Sequence, residues 1–128
     1  MTKASDKTHK VLVVDDDPTI SEIIVGKLQK SGFEAMALQN SSEIIFTAEQ
    51  YSPDVIILDL MMTKLTGEDA LKALKLHAKL AKIPVIVFSN KGTEDDLAYL
   101  LEAGAEKCLI KSNTSLGELV KEVEEVVA

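Results

Sequence analysis

Residues 10–28 read KVLVVDDDPTISEIIVGKL. The run Val11 to Val14 is apolar without interruption, as in a strand buried on both faces of a parallel sheet. Three acids and a proline end it. Ile20, Ile23, Ile24 and Leu28 then fall at i, i+3, i+4 and i+8, on one face of a helix. Asp17-Pro18 supplies an N-cap acid followed by proline at the first helical position. The stretch therefore predicts a strand, an acidic turn and a helix.

The same alternation recurs to the end of the chain. Short, mostly apolar runs at 34–38, 54–58, 83–88 and 107–110, richest in β-branched residues at 54–58 and 83–88, are each followed by a helical stripe: Ile44, Ile45 and Ala48; Leu71, Leu74 and Ala78; Leu97, Leu100 and Leu101; Leu116, Leu119, Val120, Val123 and Val127. Gly32 and Gly104 sit where helix ends call for a left-handed residue. Pro53 and Pro84 precede or open strands, where a missing N–H is tolerated. Strict alternation of five strands and five helices predicts an open, doubly wound α/β domain with helices on both faces of a parallel sheet.

Composition bounds the function. The chain has 128 residues and a formal net charge of −7, and all 14 of its basic residues are lysines. Without arginine, the preferred reader of guanine edges and nucleic-acid phosphates, an acidic chain is not expected to bind nucleic acid directly. It also lacks the basic cluster that membrane-surface binders carry. A single cysteine, Cys108, excludes an internal disulfide and a multi-cysteine zinc site. No apolar run approaches the ~18 residues of a membrane span, and nothing resembles a signal peptide, so a cytoplasmic location is expected. Residues 1–9 are expected to form a polar tail and 10–128 a single domain.

In doubly wound sheets ligands gather beyond the carboxyl ends of the strands. Asp15, Asp16 and Asp17 stand at that end of the first strand, Asp59 at the third, Ser89 and Asn90 at the fourth, and Lys111 at the fifth. Singly, each acid reads as a helix cap or a solvated loop residue. Asp59, however, interrupts an otherwise apolar stretch, VIILDLMM, and places a carboxylate where the pattern calls for a hydrocarbon. If the ends converge, Asp15, Asp16 and Asp59 against Lys111 leave a charge of −2, which a divalent cation would close. Carboxylate and carbonyl oxygens suit magnesium. A carboxylate beside such an ion, a lysine and a hydroxyl is equipped to accept a phosphoryl group, and Asp59 is the candidate nucleophile.

VLVVDDDP, PDVIILDLMMTKLTG, IPVIVFSN and EAGAEKCLIKS together resemble the receiver domain of two-component response regulators, in order and spacing, from about residue 10 to 127. The resemblance implies the strand order 2-1-3-4-5. It also implies Asp59 as phosphorylation site, Asp16 as a direct Mg²⁺ ligand, Asp15 as a ligand through water and the Met61 carbonyl as a further ligand. Lys111 would pair with the phosphoryl group, and Ser89 would hydrogen-bond it and carry the switch. Implied partners are a sensor histidine kinase or histidine phosphotransfer protein and an unknown output protein. The chain would be a signalling phosphoacceptor that assists its own Mg²⁺-dependent phosphotransfer and slow dephosphorylation, not an enzyme with a separate substrate. With Glu118, Glu122, Glu124 and Glu125 on the last helix against only Lys121, a monomer is expected.

Several positions depart from the family pattern. Thr63 and Thr66 replace a proline and an aspartate in the phosphoacceptor loop, although Gly67 is kept. Ser112 replaces the proline after the lysine, so the Lys111–Ser112 bond is expected to be trans or strained, since a cis bond there costs about 2.5–4 kcal/mol. Cys108 stands where many members carry a switching aromatic ring. Asn90 replaces the small residue beside the hydroxyl, and neither Met61 nor Lys91 supplies a group that would activate water. These departures sustain one alternative, a degenerate receiver acting as a phosphorylation-independent scaffold. An aspartyl-nucleophile phosphatase is disfavoured because Met61 replaces the second aspartate of a D-x-D-x-T pattern. A flavin-binding domain is disfavoured because DDD would repel phosphate. Among isolated residues, His77 is expected on the surface, and Met61 and Met62 are expected to pack.

Overall fold

The computed structural model describes residues 8–62, 65–90 and 94–128, with the side chain of Glu94 left out. The strands are β1 (Lys10–Val14), β2 (Glu34–Leu38), β3 (Val55–Leu58), β4 (Val85–Ser89) and β5 (Lys107–Ile110). The helices are α1 (Pro18–Lys30), α2 (Ile44–Tyr51), α3 (Gly67–Leu76), α4 (Glu94–Glu102) and α5 (Leu116–Val127). All strand pairs are parallel and the order is β2-β1-β3-β4-β5, as expected from the sequence. The expected tail lies outside the described residues as far as Lys7, and the His9 carbonyl already accepts the Glu34 N–H.

Side chains alternate across the sheet with the period of a strand. Leu12, Val14, Ile56, Leu58, Val85 and Val87 pack with Ile44, Ala48, Leu71, Leu74 and Leu100 on the face covered by α2, α3 and α4. Val11, Val13, Val55, Ile57, Ile86 and Phe88 pack with Ile24, Leu28, Leu119, Val120 and Val123 on the face covered by α1 and α5. The uninterrupted apolar runs of β1, β3 and β4 are thus explained: both of their faces are interior.

Local signals set most boundaries. Asp17 Oδ1 accepts the Thr19 and Ile20 N–H groups and starts α1 ahead of Pro18. Ser115 and Glu118 form a reciprocal capping box at α5. Gly32 and Gly104 adopt φ of +96° and +115° after α1 and α4, where L side chains are strained. Two expectations fail at helix ends. Ala78 lies outside α3, because His77 turns extended and its Nδ1 faces the Lys79 and Leu80 N–H groups. Leu101 lies off the core face of α4 and is about half exposed, whereas Leu100 is buried.

Candidate functional site

Register alone brings the site residues together. Val14 is level with Leu58, so Asp15 and Asp59 leave neighbouring strands at the same height, and the Asp59 N–H donates to the Val14 carbonyl. On the other side Ser89 is level with Ile110, so Lys111 emerges one residue beyond it. From there the Lys111 ammonium reaches across the strand ends, donating to Asp15 Oδ2 at 2.8 Å and Asp59 Oδ2 at 3.1 Å.

This is a buried, charge-assisted cluster. Asp15 is 2% exposed, Asp59 7% and Ser89 0%. Each acid has its second oxygen engaged: Asp15 Oδ1 accepts the Asp17 N–H at 2.9 Å, and Asp59 Oδ1 accepts the Met61 N–H at 3.0 Å. Burial by itself would lower the Lys111 pKa, but hydrogen bonds and charge from Asp15 and Asp59 outweigh it and hold the ammonium above its ordinary value. The Phe88 ring lies 5.9 Å from the same nitrogen and forms an apolar floor beneath it. Asp16 is only partly buried. Among the described residues it joins no hydrogen bond or ion pair, which leaves its carboxylate available.

Two further contacts hold the loop that follows Asp59. A Cβ on Gly67 would lie 2.4 Å from the Leu60 Cα and 2.7 Å from the Asp59 carbonyl oxygen, so only glycine permits this approach. Ser41, buried ahead of α2, donates to the Leu65 carbonyl at 2.6 Å and accepts the Leu65 N–H at 2.8 Å. The sequence reading missed Ser41, since nothing local distinguishes it from an ordinary turn serine, and missed Phe88 as the floor under the lysine. Thr66 caps α3 through the Asp69 N–H. Thr63 and Lys91 lie outside the described residues.

Other expectations resolve plainly. There is no cis peptide bond among the described residues, so the Lys111–Ser112 bond is trans. Met62 packs into the core but Met61 is 58% exposed, correcting the expectation that both pack: the turn after Asp59 buries Leu60 and Met62 and points Met61 outward. Cys108 is half-buried with its sulfur 3.9 Å from the Leu97 carbonyl, and burial pushes its thiol pKa up. His77 is partly buried and its Nε2 lies 3.1 Å from Glu49. The acidic face of α5 is partly neutralised from β5, where Lys107 pairs with Glu122 and, at 2.6 Å, with Glu125.

No three carboxylate, imidazole or thiolate side chains close around one point as a metal cage among the described residues. The donor set still fits a hard cation that keeps several waters and takes one or two carboxylates. Among the described residues Asp16 has no ion-pair partner, and the Lys111 ammonium balances only one of the charges of Asp15, Asp16 and Asp59.

The family model for the response regulator receiver domain matches residues 11–124. The chain is 32% identical to Protein PilH of Pseudomonas aeruginosa over 102 residues, covering 80% of this chain and 84% of PilH. It is 38% identical to the transcriptional regulatory protein PrrA of Mycobacterium tuberculosis over 114 residues, covering 89% of this chain and 48% of PrrA. The chain thus spans about half the length of several regulators that it matches. Among solved structures, the receiver domain of the Francisella response regulator 1452 superposes with a TM-score of 0.86 at 30% identity, covering 94% of this chain and 97% of that one. The chemotaxis protein CheY4 of Vibrio cholerae also gives 0.86, at 26% identity, covering 94% and 99%.

Proposed function

The chain belongs to the response regulator receiver domains, and from that membership we propose that residues 10–128 act as the phosphoacceptor unit of a two-component phosphorelay, taking a phosphoryl group from a phosphohistidine donor onto Asp59. The observation that carries the reading is the Lys111 ammonium bridging two buried carboxylates, Asp15 and Asp59, at the carboxyl end of the sheet.

In the transfer, a carboxylate oxygen of Asp59 forms a bond to phosphorus as the bond from phosphorus to the donor's imidazole nitrogen breaks, and the imidazole leaves with that electron pair. The Met61 N–H and Lys111 fix the orientation of the Asp59 carboxylate beforehand, so little ordering remains for the reaction step. Lys111 then pairs with the phosphoryl oxygens, and the Ser89 hydroxyl at the end of β4 is the group to hydrogen-bond them and report the change. A magnesium ion held by Asp15, Asp16, Asp59 and the Met61 carbonyl would neutralise charge on those oxygens. Slow dephosphorylation fits the absence of a water-activating side chain at Met61. Because Cys108 has no ring to rotate, the switch is assigned to Ser89 and the loop beyond it.

Beside Lys111 an apolar groove of about 360 Å³, lined by Ile20, Ile23, Phe88 and Leu116 among others, provides a seat for the donor, which we take to be a sensor histidine kinase or histidine phosphotransfer protein. Incubation with acetyl phosphate, followed by intact-mass measurement, tests the function. A phosphoryl adduct that requires Mg²⁺ and is absent from Asp59→Asn is expected; failure to form one with either acetyl phosphate or a phosphohistidine donor would favour a phosphorylation-independent scaffold.

A further inference from the structure

Two departures from the family pattern meet in space. Asn90 directly follows Ser89 and Ser112 directly follows Lys111, and the level pairing of Ser89 with Ile110 sets the two loops side by side. The Ser112 N–H donates to Asn90 Oδ1 at 2.8 Å. A proline at position 112 would have no N–H to offer; serine has one, and Asn90 accepts it.

The consequence falls on Lys111. Its backbone leaves the sheet at Ile110 and enters a short 3-10 turn, Lys111–Asn113, whose own N-cap residue Ile110 offers no side-chain hydrogen bond and which is closed by a long Thr114 N–H to Lys111 carbonyl bond of 3.3 Å. A lysine side chain is a flexible four-carbon stem, so where its ammonium rests depends on how firmly its backbone is held. Among the described residues the Asn90–Ser112 bond is the side-chain tie adjoining that backbone, and it comes from the residue directly after Ser89, the last of β4.

We propose that Asn90 is a positioning residue for phosphoryl transfer: by holding the Ser112 N–H it fixes the backbone of Lys111, and through it the ammonium between Asp15 and Asp59. This rests on the assignment of Asp59 as phosphoacceptor. Losing the tie leaves the chemistry intact but the lysine less often in place.

The test combines kinetics with nuclear magnetic resonance on the full chain. Asn90→Ala is expected to slow Mg²⁺-dependent adduct formation from acetyl phosphate by about 3–10-fold, the scale of one ordinary hydrogen bond. In a Lys111→Met background the same substitution should add nothing, because it acts through the lysine; equal slowing in both backgrounds would overturn the proposal. Independently of any phosphorylation, Asn90→Ala should speed hydrogen exchange at the Ser112 amide and shift the Lys111 side-chain ammonium signal. If both stay unchanged, the proposal fails. If the wild type takes no phosphoryl group while both signals move, the assignment of Asp59 fails and the positional link from Asn90 to Lys111 stands.

Discussion

Among the described residues Lys111 is the ammonium that Asp15 and Asp59 share, so removing it and removing an acid should have opposite effects. Lys111→Met leaves two buried carboxylates uncompensated and is expected to cost about 3–5 kcal/mol, as for other broken buried pairs; Mg²⁺ should restore part of the loss in urea denaturation. Asp59→Asn removes one negative charge from a site with a surplus of two, so without Mg²⁺ its urea midpoint should equal or exceed that of the wild type. Gly67→Ala forces a methyl group against the Leu60 backbone and should cost at least the ~1–3 kcal/mol of overpacking, with slowed phosphorylation because the displaced atoms adjoin Asp59. At this scale the sequence was legible where a residue broke a pattern: Asp59 interrupts an apolar run, and Lys111 ends one. Ser41 and Phe88 break none. Their roles arise from residues 24 and 23 positions away along the chain, Leu65 and Lys111, which no local pattern announces.

The elements were more legible than their ends. Apolar runs and helical stripes located the ten strands and α-helices of the described residues, most directly β1, β3 and β4, where burial on both sheet faces writes itself into the sequence. The end of α3 escaped, since the periodicity through Ala78 continues past the point where His77 diverts the backbone. Alternation could not reveal that Leu101 faces outward, because adjacent leucines on a helix point about 100° apart and only one meets the core. Two predictions belong to elements. Ser115→Ala dismantles the capping box of α5 and should lower stability by about 0.5–2 kcal/mol, measured by urea denaturation. Ile23 on α1 is about half exposed at the edge of the groove beside Lys111. Ile23→Asp should slow transfer from a histidine-phosphorylated protein while leaving transfer from acetyl phosphate unchanged; equal slowing with both donors would remove the groove from the donor's path.

For the molecule as a whole, charge and pH act together. Burial, followed by the Glu34 and Asp54 carboxylates, pushes Tyr51 up to about 12, and Lys111 and Lys107 are also held above their ordinary value. Each group is protonated to a higher pH in the folded chain than in the unfolded one. Their contribution is therefore complete below pH ~10 and is lost as the pH rises through the folded values. Urea midpoints should fall above pH ~10, and phenolate absorbance should show Tyr51 titrating near 12. The net charge of −7 also acquires a place: part of it surrounds Asp59, and part lies on α5, where Lys107 ties down Glu122 and Glu125. Among the described residues no helix is long and apolar enough to cross a membrane. The central claim, that Asp59 receives the phosphoryl group, is tested most directly by reductive trapping. Borohydride converts an acyl phosphate to an alcohol, so phosphorylated protein treated in this way should carry homoserine in place of Asp59, located by peptide mass spectrometry. Homoserine at position 15 or 16, or none at any aspartate of a chain that has gained a phosphoryl group, would contradict it.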